Sequence, residues 1–487
     1  MSDMPSLKRN FERYGINRAY FVRLGKKNGW NLSPDFEFYV VNTTPARSVQ
    51  ETETYDIILS LNGINGGGSK PIRELKVKRF IAPRRVLYDQ FDKAKFIRLV
   101  DDPIGQDAHF LSYFGDIEVY DYIPQHNMLV MEKWQDSDKN ETLEDKLISL
   151  YEFYVGGDEQ QRGRIREEVK GYLSKAIELT IEHSGRATSD FQRERKDKDS
   201  GELSLDEAIF FDKNGKSKIN EFPARYFKER VHKYLRAFHM MEYYIQRKLI
   251  EPSGRIISED SEEAMRYMDR AEDFIEATYK ARSELGLFSK SLSKLHTNQD
   301  KISVVHFDLR SPNILIRDGR VGFIDYEKIA YAARAIDPAI IVFDPVVNGF
   351  DIALTDRLGL LSNARLDHDE IVNSGIWALL RMSGAQSMLQ HHHLGKYQTA
   401  VQKSELYDTK NLLDVNKKLL HGLLTESGAY PSISELVRII KDIEQRWFRK
   451  TSPNESFRMR ENLEKRRDIE GQHENRHNTN ESNKITT

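Results

Sequence analysis

Apolar positions divide the chain into a strand-rich first part and a helix-rich remainder. In the first 134 residues, the segments Phe36–Val41, Tyr55–Leu61 and Ile72–Phe80 are rich in β-branched and aromatic residues and predict three strands. The segment DAHFLSYF, beginning at Asp107, has helical spacing, and IEVYDYI and NMLVMEKW predict a further pair of strands. From about Gln135 onward, apolar residues recur at intervals of three and four, which is typical of amphipathic helices.

The helix-rich part contains several start and stop signals. Leu143 and Leu147 share one stripe of a helix, and Thr142 with Asp145 predicts a capping box at its beginning. The next helix is expected to end at Gly185, before a solvated loop over residues 192–202. A later helix is expected to start after a serine cap and to end at Gly286. The last segment, 451–487, has few large apolar residues and predicts a disordered tail.

Composition excludes several classes of protein. The 487 residues include no cysteine, which excludes disulfides, thiolate metal sites and cysteine nucleophiles. A formal net charge of −2 gives no overall attraction to nucleic acid or to anionic membranes. The N-terminus lacks the apolar core of a signal peptide, and apolar runs such as Ala339–Phe343 are too short to span a bilayer. We therefore expect a cytoplasmic protein with no nucleic-acid partner and no membrane insertion.

The segment VVHFDLRSPNILI, Val304–Ile316, carries the chemistry. Asp308 and Asn313 are five residues apart in a polar connection between two apolar strands, and Asp325 follows twelve residues after Asn313, beyond a second turn. Phosphoryl transfer needs a carboxylate beside the attacking hydroxyl and an amide and a carboxylate near the phosphates. Because a hairpin returns its two ends to one edge, Asp325 is expected to face Asn313. His306 alone is more typical of a structural histidine.

Together with the residues that follow it, this segment resembles a known family. VVHFDLRSPNILIRDGRVGFIDYE is similar to the catalytic segment of the aminoglycoside phosphotransferase and choline/ethanolamine kinase superfamily, whose members are relatives of protein kinases. The similarity continues through Glu327, Arg334 and Asp337. It implies an α+β, bilobal, protein-kinase-like fold with a small antiparallel-sheet N-lobe and a large, mostly helical C-lobe that contains a helical insert.

The resemblance also implies domain boundaries. The expected regions are an N-lobe at 1–134, a helical C-lobe at 135–450 with an insert at about 140–300 and a catalytic loop at 304–337, and a tail at 451–487.

The resemblance assigns roles to individual residues and implies ATP and Mg²⁺ as cofactors. Asp308 would be the catalytic base, and Asn313 and Asp325 would be the magnesium ligands. Asp337 would be a structural carboxylate that braces the catalytic loop.

The resemblance implies a lysine that binds ATP but does not decide between two candidates. The ATP lysine is Lys76 or Lys78, which strand alternation places on the same face, and the order Leu-Lys-Val favours Lys76. Asp107 is the expected acidic partner of that lysine. Backbone groups around Glu132, at the end of the last predicted strand, are expected to meet the adenine edge, with the Glu132 side chain on the surface of this connection.

Two glycine-rich or polar turns compete for the phosphates. Gly66–Gly68 immediately precedes the lysine strand, which is typical of an ordinary turn in this architecture. The segment Asn42–Glu51, with Ser48, is the expected phosphate cradle instead.

The sequence therefore predicts an ATP-dependent phosphotransferase acting on a hydroxyl of a small molecule, such as an amino alcohol or an aminoglycoside-like compound. Two alternatives remain open, an atypical protein kinase and a catalytically weak kinase-fold scaffold. Against a eukaryotic-type protein kinase, Asp325 is followed by Tyr326-Glu327 rather than Phe-Gly, and Asp337 leaves little room for an activation segment. The acceptor and the oligomeric state are not specified by these residues.

Overall fold

The computed structural model describes most of the chain. The described residues are 4–32, 36–42, 52–61, 70–80, 103–134, 141–221, 262–296, 298–396 and 409–448. Ser48 of the expected phosphate cradle, Gly66–Gly68 and the tail 451–487 lie outside them. Contacts divide the chain into two compact units: the first contains residues 1–227, 291–378 and 399–408, and the second contains residues 228–290, 379–398 and 409–487.

The described strands and helices have the following bounds. The strands are β1 Phe36–Asn42, β2 Thr52–Leu61, β3 Lys70–Phe80, β4 Val119–Ile123, β5 Met128–Glu132, β6 Asn220–Glu221, β7 Ile302–Val305, β8 Ile314–Arg317, β9 Arg320–Phe323 and β10 Ala330–Ala333. The helices are α1 Met4–Arg13, α2 Arg18–Lys27, α3 Pro103–Phe114, α4 Leu143–Gly156, α5 Glu159–Ser200, α6 Glu262–Leu295, α7 Ile336–Val342, α8 Leu354–Asn363, α9 His368–Lys396, α10 Thr409–Ser427 and α11 Pro431–Phe448.

The first five strands form one antiparallel sheet in the order β1-β2-β3-β5-β4. These are the strands that the sequence predicts. Alternation along β3 gives the sheet two different faces. Leu75 and Val77 are fully buried on one face, and Lys76 and Lys78 project from the other, here called the lysine face.

Helices α1 and α2 cover the face opposite the lysine face. Phe11 of α1 and Phe21 of α2 belong to the same buried apolar cluster as Leu75 and Val77. The strand-rich prediction for the first 134 residues missed these two helices. Burial of large aromatic side chains against a sheet is worth roughly 2 kcal/mol each, so this helical layer contributes substantially to the stability of the sheet.

The helices of the first unit confirm one sequence prediction and correct another. Thr142 caps α4 with the predicted capping box, in which its hydroxyl accepts from the Asp145 N–H. The predicted helix end at Gly185 and the predicted loop at 192–202 are wrong, because α5 continues to Ser200. Phe191 and Glu194 are buried on its inner face, and Gly201 ends the helix in the left-handed conformation that glycine adopts without strain.

The described secondary structure of the second unit is helical. Helices α10 and α11 pack together, and the Ile433 N–H at the start of α11 donates to Glu284 of α6 at 2.9 Å. Phe288 of α6 packs edge-to-face on Tyr430. The predicted helix end at Gly286 is wrong, since α6 runs on to Leu295 with Phe288 and Leu292 buried.

The antiparallel sheet near the N-terminus and the predominantly helical remainder confirm the predicted α+β fold class. Among the described helices, none combines the length and the apolar character required to cross a membrane.

Candidate active site

The connection between β7 and β8 holds Asp308 in a buried position. Asp308 is 1% exposed, and Asn313 is also buried. The Asn313 side-chain amide donates to the backbone oxygen of Asp308 at 2.8 Å, which closes the five-residue connection into a compact loop. The five-residue spacing of Asp308 and Asn313 therefore corresponds to a direct hydrogen bond between them.

The hairpin of β8 and β9 brings Asp325 to the same edge, as predicted. Its strands pair from Ile314 opposite Phe323, and the Ile324 N–H donates to the Asn313 backbone oxygen at 3.1 Å. Asp325 follows directly, with a φ of 73° in the left-handed region. Aspartate tolerates this conformation better than most residues, and it turns the chain at the end of the hairpin.

Asp337 braces the loop that carries Asp308, as the resemblance implied. Its two carboxylate oxygens accept the N–H groups of His306 at 2.6 Å and Phe307 at 2.8 Å. Phe307 has a φ of 69°, a conformation that costs of the order of 1–3 kcal/mol for a bulky residue. The ring of Trp377 packs against that of Phe307. Asp337 thus holds a strained residue immediately before Asp308.

His306 has a structural position. Its ring Nε2 lies 2.8 Å from the Ile324 backbone oxygen, and it is buried between the loop and the hairpin. On the other side of the loop, the buried Asp344 accepts the Ser311 N–H at 2.8 Å, and burial raises the pKa of Asp344. Both contacts fix the backbone that presents Asp308.

Lys78 joins the sheet to the end of the β8–β9 hairpin. Its ammonium lies 2.8 Å from Asp107 on α3 and 2.6 Å from Asp325. Burial opposes the charge of Lys78, but the two carboxylates raise its pKa above the usual value. Burial likewise opposes the charge of Asp325, but Lys78 and Lys328 lower the pKa of Asp325. The other oxygen of Asp107 accepts the Tyr326 N–H at 2.9 Å.

The expected pairing of Lys76 with Asp107 is therefore not the one in the structure. Lys76 lies two residues from Lys78 on the same face but contacts Asp56 at 3.1 Å and Glu141 at 2.7 Å. Lys78 pairs with Leu129 of β5 and lies toward α3 and the hairpin. Lys76 pairs with Met131, nearer the end of β5, and lies toward the connection that follows this strand. The Leu-Lys-Val order did not distinguish these two surroundings.

The side chain of Glu132 lies apart from this cluster. Glu132 pairs with Leu75, so it belongs to the face opposite the lysine face, and its carboxylate forms an ion pair with Arg317 of β8. Its backbone N–H donates to the Glu118 oxygen at 2.8 Å.

Two cations that sequence reasoning missed contact Asp308. Arg310 Nε lies 3.2 Å from one carboxylate oxygen, and the Lys328 ammonium forms an ion pair with the other. Arg310 is two residues beyond Asp308, and Lys328 belongs to the turn that follows Asp325. Their nearness to the two predicted aspartates in sequence was the available signal.

Part of the helical insert supports α3, the helix that carries Asp107. His109 Nε2 lies 2.8 Å from the Ile209 oxygen, and the fully buried Phe210 packs against Phe110 and Tyr113. This segment follows the unexpected C-terminal extension of α5. The insert therefore packs against α3, the helix that carries Asp107, the acidic partner of Lys78.

The donor set at Asn313 and Asp325 suits a magnesium ion. Mg²⁺ in nucleotide sites is held by one or two oxygen side chains together with phosphates and water, rather than by a cage of protein ligands. The described part of the chain contains no cluster of three or more histidine, aspartate or glutamate side chains that could hold a metal. An amide and a carboxylate at the end of one hairpin supply the expected type of ligand.

Comparison with known families agrees with the resemblance read from the sequence. Residues 219–367, which include Asp308, Asn313, Asp325 and Asp337, match the model of the phosphotransferase enzyme family, APH. This match confirms the resemblance to the aminoglycoside phosphotransferase superfamily and supports a small-molecule phosphotransferase. No curated protein sequence matches the chain significantly.

Solved structures with a similar arrangement of elements include kinases of small molecules. Choline kinase LicA from Streptococcus pneumoniae is 12% identical, with 83% of this chain and 100% of that chain covered and a TM-score of 0.35. Choline kinase from Cryptosporidium parvum is 10% identical, with coverages of 86% and 99% and a TM-score of 0.40. Aminoglycoside phosphotransferase APH(4)-Ia, in a complex with ADP and hygromycin B, is 11% identical, with coverages of 82% and 93% and a TM-score of 0.34.

Proposed function

We propose that the protein transfers the γ-phosphate of a purine nucleoside triphosphate, such as ATP, to a hydroxyl group of a small molecule. The observation that carries this proposal is the convergence of Asp308, Asn313 and Asp325, with Lys78 linking Asp325 to the sheet at 2.6 Å. Residues from two distant parts of the sequence thereby form one polar site that includes the buried carboxylate of Asp308.

Asp308 is the proposed catalytic base. It orients the acceptor hydroxyl and takes its proton as the oxygen attacks the γ-phosphorus; the bond from that phosphorus to the β,γ-bridging oxygen breaks, and the nucleoside diphosphate leaves. The loop that carries it is held by the Asn313 amide at 2.8 Å and by the two N–H groups bound to Asp337. Such fixation matters because small displacements of a catalytic group cost large factors in rate.

Lys78 is the proposed phosphate-binding lysine. Phosphates of the donor nucleotide accept from its ammonium, which Asp107 keeps in position at 2.8 Å. Arg310 and Lys328 contact Asp308 from two sides and are available to balance negative charge on the transferring group. Positive charge from three side chains thus surrounds the proposed path of the phosphoryl group.

Asn313 and Asp325 would hold magnesium, which supplies charge neutralisation for the phosphates when it is bound. The lowered pKa of Asp325 keeps this carboxylate ionised and able to bind a cation. The acceptor is proposed to be a small alcohol of the kind that the resemblance implies, an amino alcohol or an aminoglycoside-like compound, and the proposed location is cytoplasmic.

A turnover assay tests this proposal. The purified chain is supplied with Mg²⁺, nucleoside triphosphate and a panel of amino alcohols, aminoglycosides and a generic protein substrate. The expected result is acceptor-dependent phosphorylation of a small molecule, lost in Asp308→Asn. Phosphorylation of the protein substrate alone would instead establish protein kinase activity, and nucleotide binding without any Asp308-dependent turnover would indicate a scaffold.

A further inference from the structure

A network of charged side chains occupies the lysine face next to the proposed phosphate site. Lys76 contacts Asp56 at 3.1 Å and Glu141 at 2.7 Å, and Lys133 contacts Asp56 at 2.8 Å and Glu74 at 2.9 Å. The side chains of Asp56, Lys76 and Lys133 are only 10–15% exposed. Asp56 and Glu74 raise the pKa of Lys133 although burial opposes its charge.

The location of this network relative to Lys78 follows from the strands. Lys76 precedes Lys78 by two residues, which is about 7 Å along a strand, and it lies opposite Met131 near the end of β5. Strand β8 extends in the same direction from the proposed phosphate site. Asn313 immediately precedes β8 at the end of the hairpin that carries Asp325, and further along β8 the Ile316 N–H donates to the Glu141 backbone oxygen at 3.1 Å.

A nucleotide whose phosphates contact Lys78 and which extends toward the end of β5 has its base beside Lys76 and Glu141. The Glu141 side chain reaches from the segment paired with β8 to Lys76 on the sheet, and the next residue, Thr142, pairs with the buried Leu315. Charged groups in this location are costly to desolvate unless each keeps a hydrogen-bonding partner. A base that enters here must satisfy ammonium and carboxylate groups with its polar edge.

We propose that the network of Asp56, Lys76, Lys133 and Glu141 recognises the hydrogen-bonding edge of the donor nucleotide's base and favours guanine over adenine. This inference rests on the proposed function and deepens it by naming the class of nucleotide. An ammonium group only donates hydrogen bonds and a carboxylate only accepts them. Guanine presents two adjacent donors, N1–H and the 2-amino group, to a carboxylate, and its O6 accepts from an ammonium group.

Adenine satisfies the same groups less completely. Its edge offers one donor, the 6-amino group, beside one acceptor, N1, so one carboxylate oxygen loses its partner when adenine replaces guanine. A site built from hydrogen-bonding groups discriminates strongly against a ligand that leaves them unpaired. One well-matched pair corresponds to a preference of roughly tenfold or more.

Calorimetric titration of the full chain tests the inference in the presence of Mg²⁺. The probes are the non-hydrolysable β,γ-imido analogues of GTP, ATP and inosine triphosphate, the last of which lacks the 2-amino group. The expected order of affinity is GTP, then inosine triphosphate, then ATP, with roughly a tenfold or larger difference between the first and the last. Adenine binding as tightly as guanine overturns the inference.

Variants separate recognition from a structural role. Lys76→Met and Asp56→Asn are expected to reduce the guanine preference to less than about threefold. Arg79→Met removes a cation from the opposite face of the same strand, where Arg79 contacts Glu53, and is expected to keep the preference. Loss of thermal stability in Asp56→Asn with an unchanged preference would assign the network a structural role and overturn the inference.

The outcome also separates the inference from the proposed function. Equal binding of all three nucleotides contradicts the base preference alone and leaves phosphotransfer standing. Failure of every nucleotide to bind contradicts both.

Discussion

The Lys78 ammonium lies 2.6 Å from the Asp325 carboxylate, although 247 residues separate the two in sequence. The contact joins the N-terminal sheet to the end of the β8–β9 hairpin. Asp107 of α3 forms a second ion pair with the same ammonium group. The two lysines of β3 consequently have different surroundings. This difference gives the first test of the site.

Lys78→Met is expected to reduce the turnover number by roughly 10²- to 10³-fold, because it removes a positioned cation from the phosphates. Lys76→Met is expected to change mainly the KM for the nucleotide and its base selectivity. Steady-state kinetics with varied nucleotide concentration measures both parameters. A larger loss of turnover number in Lys76→Met than in Lys78→Met would exchange the roles proposed for them.

Asp337→Ala should destabilise the fold by about 3 kcal/mol, because two buried N–H groups lose a charged acceptor. Asp337→Asn keeps one acceptor oxygen and should show a smaller loss. Chemical denaturation followed by fluorescence measures the free energy of unfolding. A loss below about 0.5 kcal/mol in the alanine variant, which is the scale of an ordinary surface substitution, is incompatible with the bracing role.

The sequence was sufficient to predict the parts of the structure that depend on local patterns. The capping box of Thr142 and the hairpin between Ile314 and Phe323 follow from turn and cap chemistry, and both occur as expected. The positions of Asp308 and Asn313 on one loop also follow from their spacing. Each of these features is decided within about twenty residues of chain.

Features decided by distant contacts could not be predicted in this way. The choice between Lys76 and Lys78 depends on Asp107 and Glu141, which reach the strand only in the folded chain. Glycine often ends helices, but α5 continues past Gly185 because Phe191 packs in the core. Phe307 has a left-handed conformation that no local signal indicates, because Asp337 imposes it.

The insert gives a prediction about α3. Phe210→Ala should cost about 3–5 kcal/mol in stability, because it removes a fully buried ring between Phe110 and Tyr113. It should also lower the turnover number, because α3 carries Asp107. Phe153→Ala is the matched control, since its ring is 61% exposed, and it should change stability by less than about 0.5 kcal/mol. Equal effects of the two substitutions would contradict the supporting role of the insert.

His296, at the end of α6, predicts a dependence of stability on pH. Burial lowers the pKa of His296 from 6.5 to about 3. Below pH 6.5 the unfolded chain binds a proton that the folded chain does not, so folding loses stability as the pH falls from 6.5 toward 3. At pH 5 the loss amounts to about 2 kcal/mol.

Comparison of His296→Gln with the unsubstituted protein isolates this contribution. The difference in unfolding free energy between the two proteins should shift by about 2 kcal/mol in favour of the variant between pH 7 and pH 5. Because only the change with pH is compared, a constant packing cost of the substitution does not affect the result. A difference that stays constant over this range is evidence against a neutral, buried His296.

The most direct test of the central claim compares acceptor-dependent phosphoryl transfer in Asp308→Asn, Asp318→Asn and the unsubstituted protein. Asp318 lies at the exposed tip of the β8–β9 turn, and asparagine also tolerates its left-handed conformation, so this variant controls for the loss of one charge near the site. Asp308→Asn is expected to lower the turnover number by about 10³-fold or more, and Asp318→Asn is expected to retain full activity. Full activity in Asp308→Asn would contradict the assignment of the active site.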